Sequence, residues 1–248
     1  HRGYAVDPAR AAEELATLVA AAHERGLHVW LDVVFNHTGE DHPPTAARGL
    51  RHLDPTMYRG EAVGSPTNDS GCGNDIEPSH PCVAEPWDMG GYQLGRGWPW
   101  PTWLQWNDRF RDDVRGFLRG EPGLVRAVKQ RVQGSPDLLG TDGAVRSLNF
   151  ITAHDGLTMF DLTTVDHDRH HAWNCGPELR GQQLRNYFTM LLLSAGTPMW
   201  VMGDEFGRSQ GGHDNPYDID GPVTRVDWSA VSEWRDLTEF VTRLVALR

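Results

Sequence analysis

The chain is poor in residues that would staple it covalently or seat it in a membrane. Its three cysteines, Cys72, Cys82 and Cys175, are odd in number and scattered. No C-x-x-C pair occurs, so neither a disulfide framework nor a zinc site is indicated, and a reducing cytoplasm is the expected location. The opening HRGYAVDPAR has no charged-then-apolar leader, and no apolar run approaches the roughly 18 residues of a membrane span. A soluble protein without a membrane partner is expected. Positive charge is also scarce: 23 Lys and Arg stand against 34 Asp and Glu, a formal charge of -11. A field of that sign repels polyphosphates and argues against a nucleic-acid partner. Internal repeats and low-complexity segments are absent. The chain begins with His and ends inside a helical pattern, LTEFVTRLVALR, as an excerpt of something longer would.

What is present suits an α/β domain with a sizeable core: 248 residues, 39% of them hydrophobic. Ten tryptophans are many for this length, and four crowd into GWPWPTWLQWND. Core packing and a flat platform for sugar rings explain that density equally well.

Periodicity organises the chain. DPARAAEELATLVAAAHERG has apolar residues at helical spacing, Asp7 as N-cap, Pro8 at the first helical position and Gly26 as the stop. LHVWLDVVFNH follows as a continuous Val-rich run, the pattern of a parallel strand buried on both faces. Helix, Gly turn and buried strand together are the signature of a βα repeat. Residues 38–81 carry Gly, Pro, Ser, Asn and Asp without period and predict a long loop excursion. Short strands are expected at CVAE and TWLQWND. Helices are expected at RDDVRGFLRG and PGLVRAVKQRVQG. VRSLNFITAHDG reads as a strand ending in His154 and Asp155, LRGQQLRNYFTMLLLSAG as a helix closed by Gly196, and TPMWVMGDE as a strand ending in Asp204 and Glu205. A final helix is expected at SEWRDLTEFVTRLVALR.

Four strands thus end in chemically capable groups: Asn36 and His37; Glu85 and Asp88; His154 and Asp155; Asp204 and Glu205. In parallel α/β architectures the strand C-termini share one face, and in (β/α)8 barrels that face holds the active site. Their common placement is the argument for an enzyme.

DVVFNH (32–37), AEPWD (84–88) and FITAHDG (150–156), in that order, resemble three of the four signature regions of the α-amylase superfamily, glycoside hydrolase family thirteen. GCGND, GYQLG, WNDRFRDDVRGFLRG, WNCG and GTPMWVMGDEFGRSQGG narrow the resemblance to the isoamylase and bacterial glycogen-debranching branch, over nearly the whole chain. The resemblance implies a retaining α-1,6-glucosidase that takes an α-glucan, glycogen or limit dextrin, as partner, with no cofactor and no metal. Under it Glu85 is the general acid/base, and Asp155 grips the substrate hydroxyls with His154 beside it. His37 and Trp87 contact the sugar; Asp32, Asn36 and Asp88 support the strand ends.

The chain departs from the family's pattern at one point. A retaining mechanism needs a second carboxyl group about 5 Å across the sugar from the acid. In the family that nucleophile lies on a strand in a stretch like GFRFDLA, and none occurs here: GCGNDIEPSHP runs straight into CVAEPWD. The nucleophile is absent, with its strand, flanking helices and a preceding arginine. The first two barrel strands and the C-terminal β-domain are missing as well. The fold expected is therefore an incomplete catalytic domain over 1–248: a partial (β/α)8 barrel of about five of eight strands, its parallel sheet open. The strands on either side of the gap could pair directly, because the 38–81 segment is long enough for a crossover. Three functional outcomes follow: a debranching hydrolase by ancestry, an α-glucan-binding pseudoenzyme, or a remnant without function.

Other groups invite plainer readings. DHDRHH (166–171) lacks fixed ligand spacing and reads as a solvated loop rather than a metal cluster. Cys72 has no assignable base and reads as a turn residue. GDE (203–205) reads as structural support near the site.

Overall fold

The computed structural model describes residues 6–30, 83–88, 91–95, 103–216, 219 and 221–248, with the Asp88 side chain excepted. The chain forms two units, His1–Glu77 and Pro78–Arg248. In the first, Asp7 caps a short 3-10 turn, Pro8–Arg10, by accepting from the backbone N–H of Ala9 at 2.9 Å. Helix α1, Ala11–His23, follows, and Gly26 closes it with φ +73°. No residue of α1 is buried. Leu27–Trp30, the start of the expected first strand, is irregular; the rest of that strand and the 38–81 excursion lie outside the described residues.

The second unit opens with β1, Val83–Ala84, then an antiparallel pair, β2 (Trp87–Asp88) and β3 (Gly91–Tyr92). There follow β4 (Leu104–Asn107), α2 (Asp108–Arg119), α3 (Val125–Val132), α4 (Pro136–Leu139), α5 (Gly143–Arg146) and β5 (Ser147–Phe150). Helix α6 (Gly176–Leu193), β6 (Thr197–Met199), α7 (Ala230–Glu233) and α8 (Arg235–Leu247) complete it. Strands β1, β4, β5 and β6 lie side by side in that order, all parallel. β4 to β5 and β5 to β6 each join parallel neighbours with helices between them, the repeat the sequence predicts, and the sheet is the expected partial barrel.

Three helices share one core with the chain that follows β5. Phe110 and Val114 of α2 recur at i and i+4. Leu184, Tyr187, Phe188, Leu191 and Leu192 mark one face of α6, and Leu237, Val241 and Leu244 one face of α8. Ile151, Leu157, Met159 and Leu162 fill the space beside them. Each such side chain contributes roughly 1.5–3 kcal/mol by leaving water.

The sheet interior is unusual in its polarity. Gln105, Asn107, Ser147 and Asn149 alternate with Trp106, Leu148 and Phe150, and all four are 0% exposed. The register sets Gln105 beside Ser147 and Asn107 beside Asn149. Asn107 Nδ2 donates to Ser135 Oγ and Ser147 Oγ at 2.8 Å each, Ser147 Oγ to Asn149 Oδ1 at 2.7 Å, and Asn149 Nδ2 to the Ala195 carbonyl at 2.9 Å. Asn107 also caps α2, its Oδ1 accepting from the Phe110 N–H at 2.9 Å. Gln105 Oε1 accepts from the Gly95 N–H at 2.8 Å, while its Nε2 has no partner among the described residues; the pairing of Asn107, Ser147 and Asn149 is what makes the rest of the buried polar face tolerable.

Several element ends differ from the sequence reading. β5 stops at Phe150, short of His154 and Asp155, because the Ile151 carbonyl accepts from Arg115 Nε at 2.8 Å and from Arg115 Nη2. α6 stops at Leu193, not Gly196. The Arg248 guanidinium takes the Leu192, Ser194 and Gly196 carbonyls there, a charged cap on the helix C-terminus. Gly196 itself has φ +122°, and a Cβ on it would lie 2.6 Å from Asn149 Nδ2, so glycine is required for the polar ladder to close. β6 stops at Met199, and Asp204 and Glu205 open a 3-10 turn, Asp204–Phe206. The final helix is interrupted at Trp234.

Candidate functional site

The carboxyl ends of the parallel strands carry the expected groups where the chain is described. Glu85 follows β1 directly and is exposed. The β2–β3 hairpin beside it stacks the Trp87 and Tyr92 rings at 6.4 Å and 10°. Tyr92 Oη donates to Asp108 Oδ1 at 2.5 Å, and the Arg109 guanidinium lies 5.4 Å from its ring centre. Burial, reinforced by the bond to Asp108, pushes the Tyr92 hydroxyl well above the usual phenol range. It is therefore a fixed neutral donor that holds the aromatic pair against α2.

β4 lies between β1 and β5 and contributes Trp106. That ring packs edge-on to His154 at 5.5 Å and tilted against Phe150 at 5.4 Å. Of the Trp-rich stretch, Trp103 is buried in the core, as the packing reading expects, while Trp106 is partly exposed near the strand end. Trp98 and Trp100 lie outside the described residues. Past β5, His154 and Asp155 stand in a bend, exposed, with Nε2 of one 3.7 Å from Oδ2 of the other.

The bend is held by residues that the sequence reading did not single out. The Gly156 N–H donates to the Asp214 carbonyl at 2.7 Å, and Gln210 Nε2 donates to the Gly156 carbonyl at 3.3 Å and the His213 carbonyl at 3.1 Å. Gln210 is anchored in turn by buried Asp161, which accepts from the Gln210 N–H at 2.7 Å and from Ser209 Oγ at 2.5 Å. The following turn is fixed by Asp204, which is 0% exposed and accepts from the Met159 N–H at 2.9 Å and from Thr152 Oγ1. Burial pushes the Asp204 carboxyl up to about 6. Glu205 accepts from Trp200 Nε1 at 3.2 Å and the Gly203 N–H at 3.0 Å. Both acids therefore act as structural support, as the sequence reading had it. Arg115, buried, spans from Ile151 to the His170 carbonyl at 3.3 Å, and burial lowers its guanidinium to about 10.

That last contact reaches DHDRHH, which is no loose loop. His167 and Ala172 form an antiparallel bridge, with backbone bonds of 3.3 and 3.0 Å around a 3-10 turn, Asp168–His170. His170 is largely buried, its Nε2 3.0 Å from Asp214 Oδ2, and its ring centre is 4.5 Å from that of His167. The solvated-loop reading holds for Asp168, whose side chain is 94% exposed, and fails for His170, at 14%. The sequence could not join these groups, because Asp214 comes from a loop 44 residues away.

Of the other site residues read from sequence, Asp32, Asn36 and His37 lie outside the described residues, and Asp88 is described only in its backbone pairing with Gly91. Cys72 and Cys82 also lie outside; Cys175 is a buried free thiol. Among the described residues no helix is long and apolar enough to cross a membrane.

Comparison with known proteins adds a second line. No protein-family model matches the chain. It is 30% identical to Isoamylase 3, chloroplastic, of Oryza sativa subsp. japonica, an alignment covering 92% of this chain and 41% of that protein. It is 31% identical to a "Glycogen operon protein GlgX homolog" of Mycobacterium tuberculosis, covering 96% of this chain and 45% of that one. The chain thus spans less than half the length of the relatives it matches. The rice alignment runs over 318 positions against a chain of 248 residues, so that relative carries internal residues without counterpart here. Among solved structures, a type I pullulanase of Bacillus subtilis complexed with maltose superposes with a TM-score of 0.76 at 21% identity, over 98% of this chain and 43% of that one. An Anoxybacillus pullulanase complexed with maltotetraose gives 0.72 at 24%, over 98% and 44%. These two establish the likeness of fold.

Proposed function

Because the chain belongs to the isoamylase and GlgX branch of the α-amylase superfamily, we propose that it carries the acid half of an α-1,6-glucosidase site for glycogen or limit dextrin. One observation carries this reading: Glu85, Trp106 and the His154–Asp155 bend stand at the ends of three adjacent parallel strands, β1, β4 and β5. Glu85 protonates the leaving oxygen, Asp155 hydrogen-bonds the sugar hydroxyls as the ring flattens, and His154 and Trp87 contact the sugar. The attacking carboxylate has no counterpart. The surplus length of the rice alignment supports its loss with an internal segment rather than by substitution.

A catalytic unit without its nucleophile loses on the order of 10⁴ to 10⁶ in rate. Glucan binding is therefore the activity expected to survive, favoured by the stacked Trp87–Tyr92 pair beside Glu85. The test is calorimetry with limit dextrin alongside a sensitive assay for released linear chains. Saturable binding with a residual release that Glu85→Gln lowers by roughly 10² or more supports the reading. Release unchanged in Glu85→Gln removes Glu85 as the acid, and a flat binding isotherm removes the site altogether.

A further inference from the structure

The cluster beneath the Asp155 bend has a composition and geometry that the glucan site does not use. We propose that His167, His170 and Asp214 form a binding site for one divalent transition-metal ion of the Zn²⁺ class. Each offers one ligand atom, and the three atoms lie within 4.8 Å of one another. Donors bonded tetrahedrally to a single Zn²⁺ at about 2.0–2.2 Å sit roughly 3.3–3.6 Å apart, so binding draws the set together by up to about 1.5 Å. Two imidazoles with one carboxylate suit Zn²⁺, Co²⁺ or Ni²⁺ and are a poor match for Mg²⁺ or Ca²⁺, which prefer all-oxygen ligands.

A second observation separates this cluster from an ordinary His–Asp ion pair. His170 and Asp214 satisfy each other at 3.0 Å, and that pair would need no third member. His167 nevertheless stands with its ring centre 4.5 Å from that of His170, and its Nδ1 is shielded from solvent with no hydrogen-bond partner among the described residues. A dehydrated, unpartnered ring nitrogen costs about 1–3 kcal/mol, and a bound cation would relieve that cost by fixing the tautomer and orientation of the ring.

The backbone is built to hold the set. The His167–Ala172 bridge fixes the spacing of both histidines, and Arg115 grips the His170 carbonyl from α2. Asp214 arrives on the loop whose carbonyl accepts from Gly156 at 2.7 Å. A metal here would staple the 167–170 turn to the 210–214 loop, and through Gly156 to the bend that presents Asp155. The inference concerns ion binding and does not depend on glucan chemistry.

The test uses the whole chain, freed of metal by chelation and titrated with ZnCl₂ and CoCl₂. One equivalent is expected to bind, raising the melting temperature, with the Co²⁺ form giving a visible ligand-field band. His167→Ala and Asp214→Ala should each weaken binding by more than the roughly 10- to 100-fold that an outer-shell partner is worth. Cys175→Ser should bind as the parent does, since Cys175 is no part of the set. Should a variant fail to fold, imidazole nitrogen NMR of the parent decides: Zn²⁺ must move the ring signals of two of the twelve histidines. No stoichiometric binding, binding intact in both alanine variants, or no paired histidine response would each overturn the proposal.

Discussion

A buried acid links the site's support to pH. Asp204 is wholly buried, and its carboxyl is pushed up to about 6 from 3.8 by loss of water. Between those values the folded chain holds a proton that the unfolded chain has released. The unfolded state then binds fewer protons, so this group's contribution to stability falls as pH rises through about 4 to 6 and stays low above it. The gap corresponds to roughly 3 kcal/mol at about 1.4 kcal/mol per pH unit. Asp204→Asn keeps the shape, and its amide can still accept from Met159 and donate to Thr152. Urea unfolding should show the variant gaining on the parent by about that amount between pH 4 and pH 7. A difference flat across the range would mean that Asp204 does not titrate there. The sequence places an acid after a strand and so suggests its supporting role. Its titration depends on burial among Thr152, Met159 and the core, groups that are distant along the chain and invisible in any local pattern.

The strands show which information a local pattern does carry. LQWN and SLNF alternate polar and apolar residues, and period two makes them strands. The same alternation ordinarily means one face in water, yet here the polar face is fully buried, with Ser135, Ser147, Asn149 and Ala195 supplying the partners of Asn107, Ser147 and Asn149. Element existence is thus legible in residues 104–107 and 147–150, while the destination of the polar face depends on loops that arrive from elsewhere. Element ends follow the same logic, since Arg115 ends β5 and Arg248 ends α6 from far along the chain. Asn107 joins three of these contacts: the cap of α2 and the bonds to Ser135 and Ser147. Loss of an N-cap costs about 1 kcal/mol, and the donor lost to two buried serine hydroxyls adds to it, so Asn107→Ala is expected to cost about 2–4 kcal/mol. Denaturant titration checks this. Asn107→Asp should retain the cap but lose the donor to both serines, and so fall between parent and alanine.

For the molecule as a whole, the decisive feature is what the sequence lacks ahead of CVAEPWD. The motif order makes the family legible because each strand end keeps its own short signature, whereas a missing strand leaves only an abrupt join at residues 81–83. Acid catalysis and nucleophilic attack are separable at such a site. On the proposed reading Glu85 protonates the leaving oxygen, but bond cleavage also needs electrons delivered to the anomeric carbon from the opposite side of the sugar. Water there has no carboxylate to take its proton, which is why unaided turnover should be slow. Azide needs no such base. With α-maltosyl fluoride, whose fluoride leaves without an acid, azide attack from the free side breaks C–F, forms C–N and releases the β-maltosyl azide. Product formation in the presence of the chain should therefore rise in proportion to azide, above the rate in buffer alone, and be insensitive to Glu85→Gln. Mass spectrometry with anomeric NMR of the product checks both statements. A rate in excess azide equal to that without protein would mean that the remaining strand ends no longer hold a sugar in reacting position, and that the loss extends beyond one carboxylate.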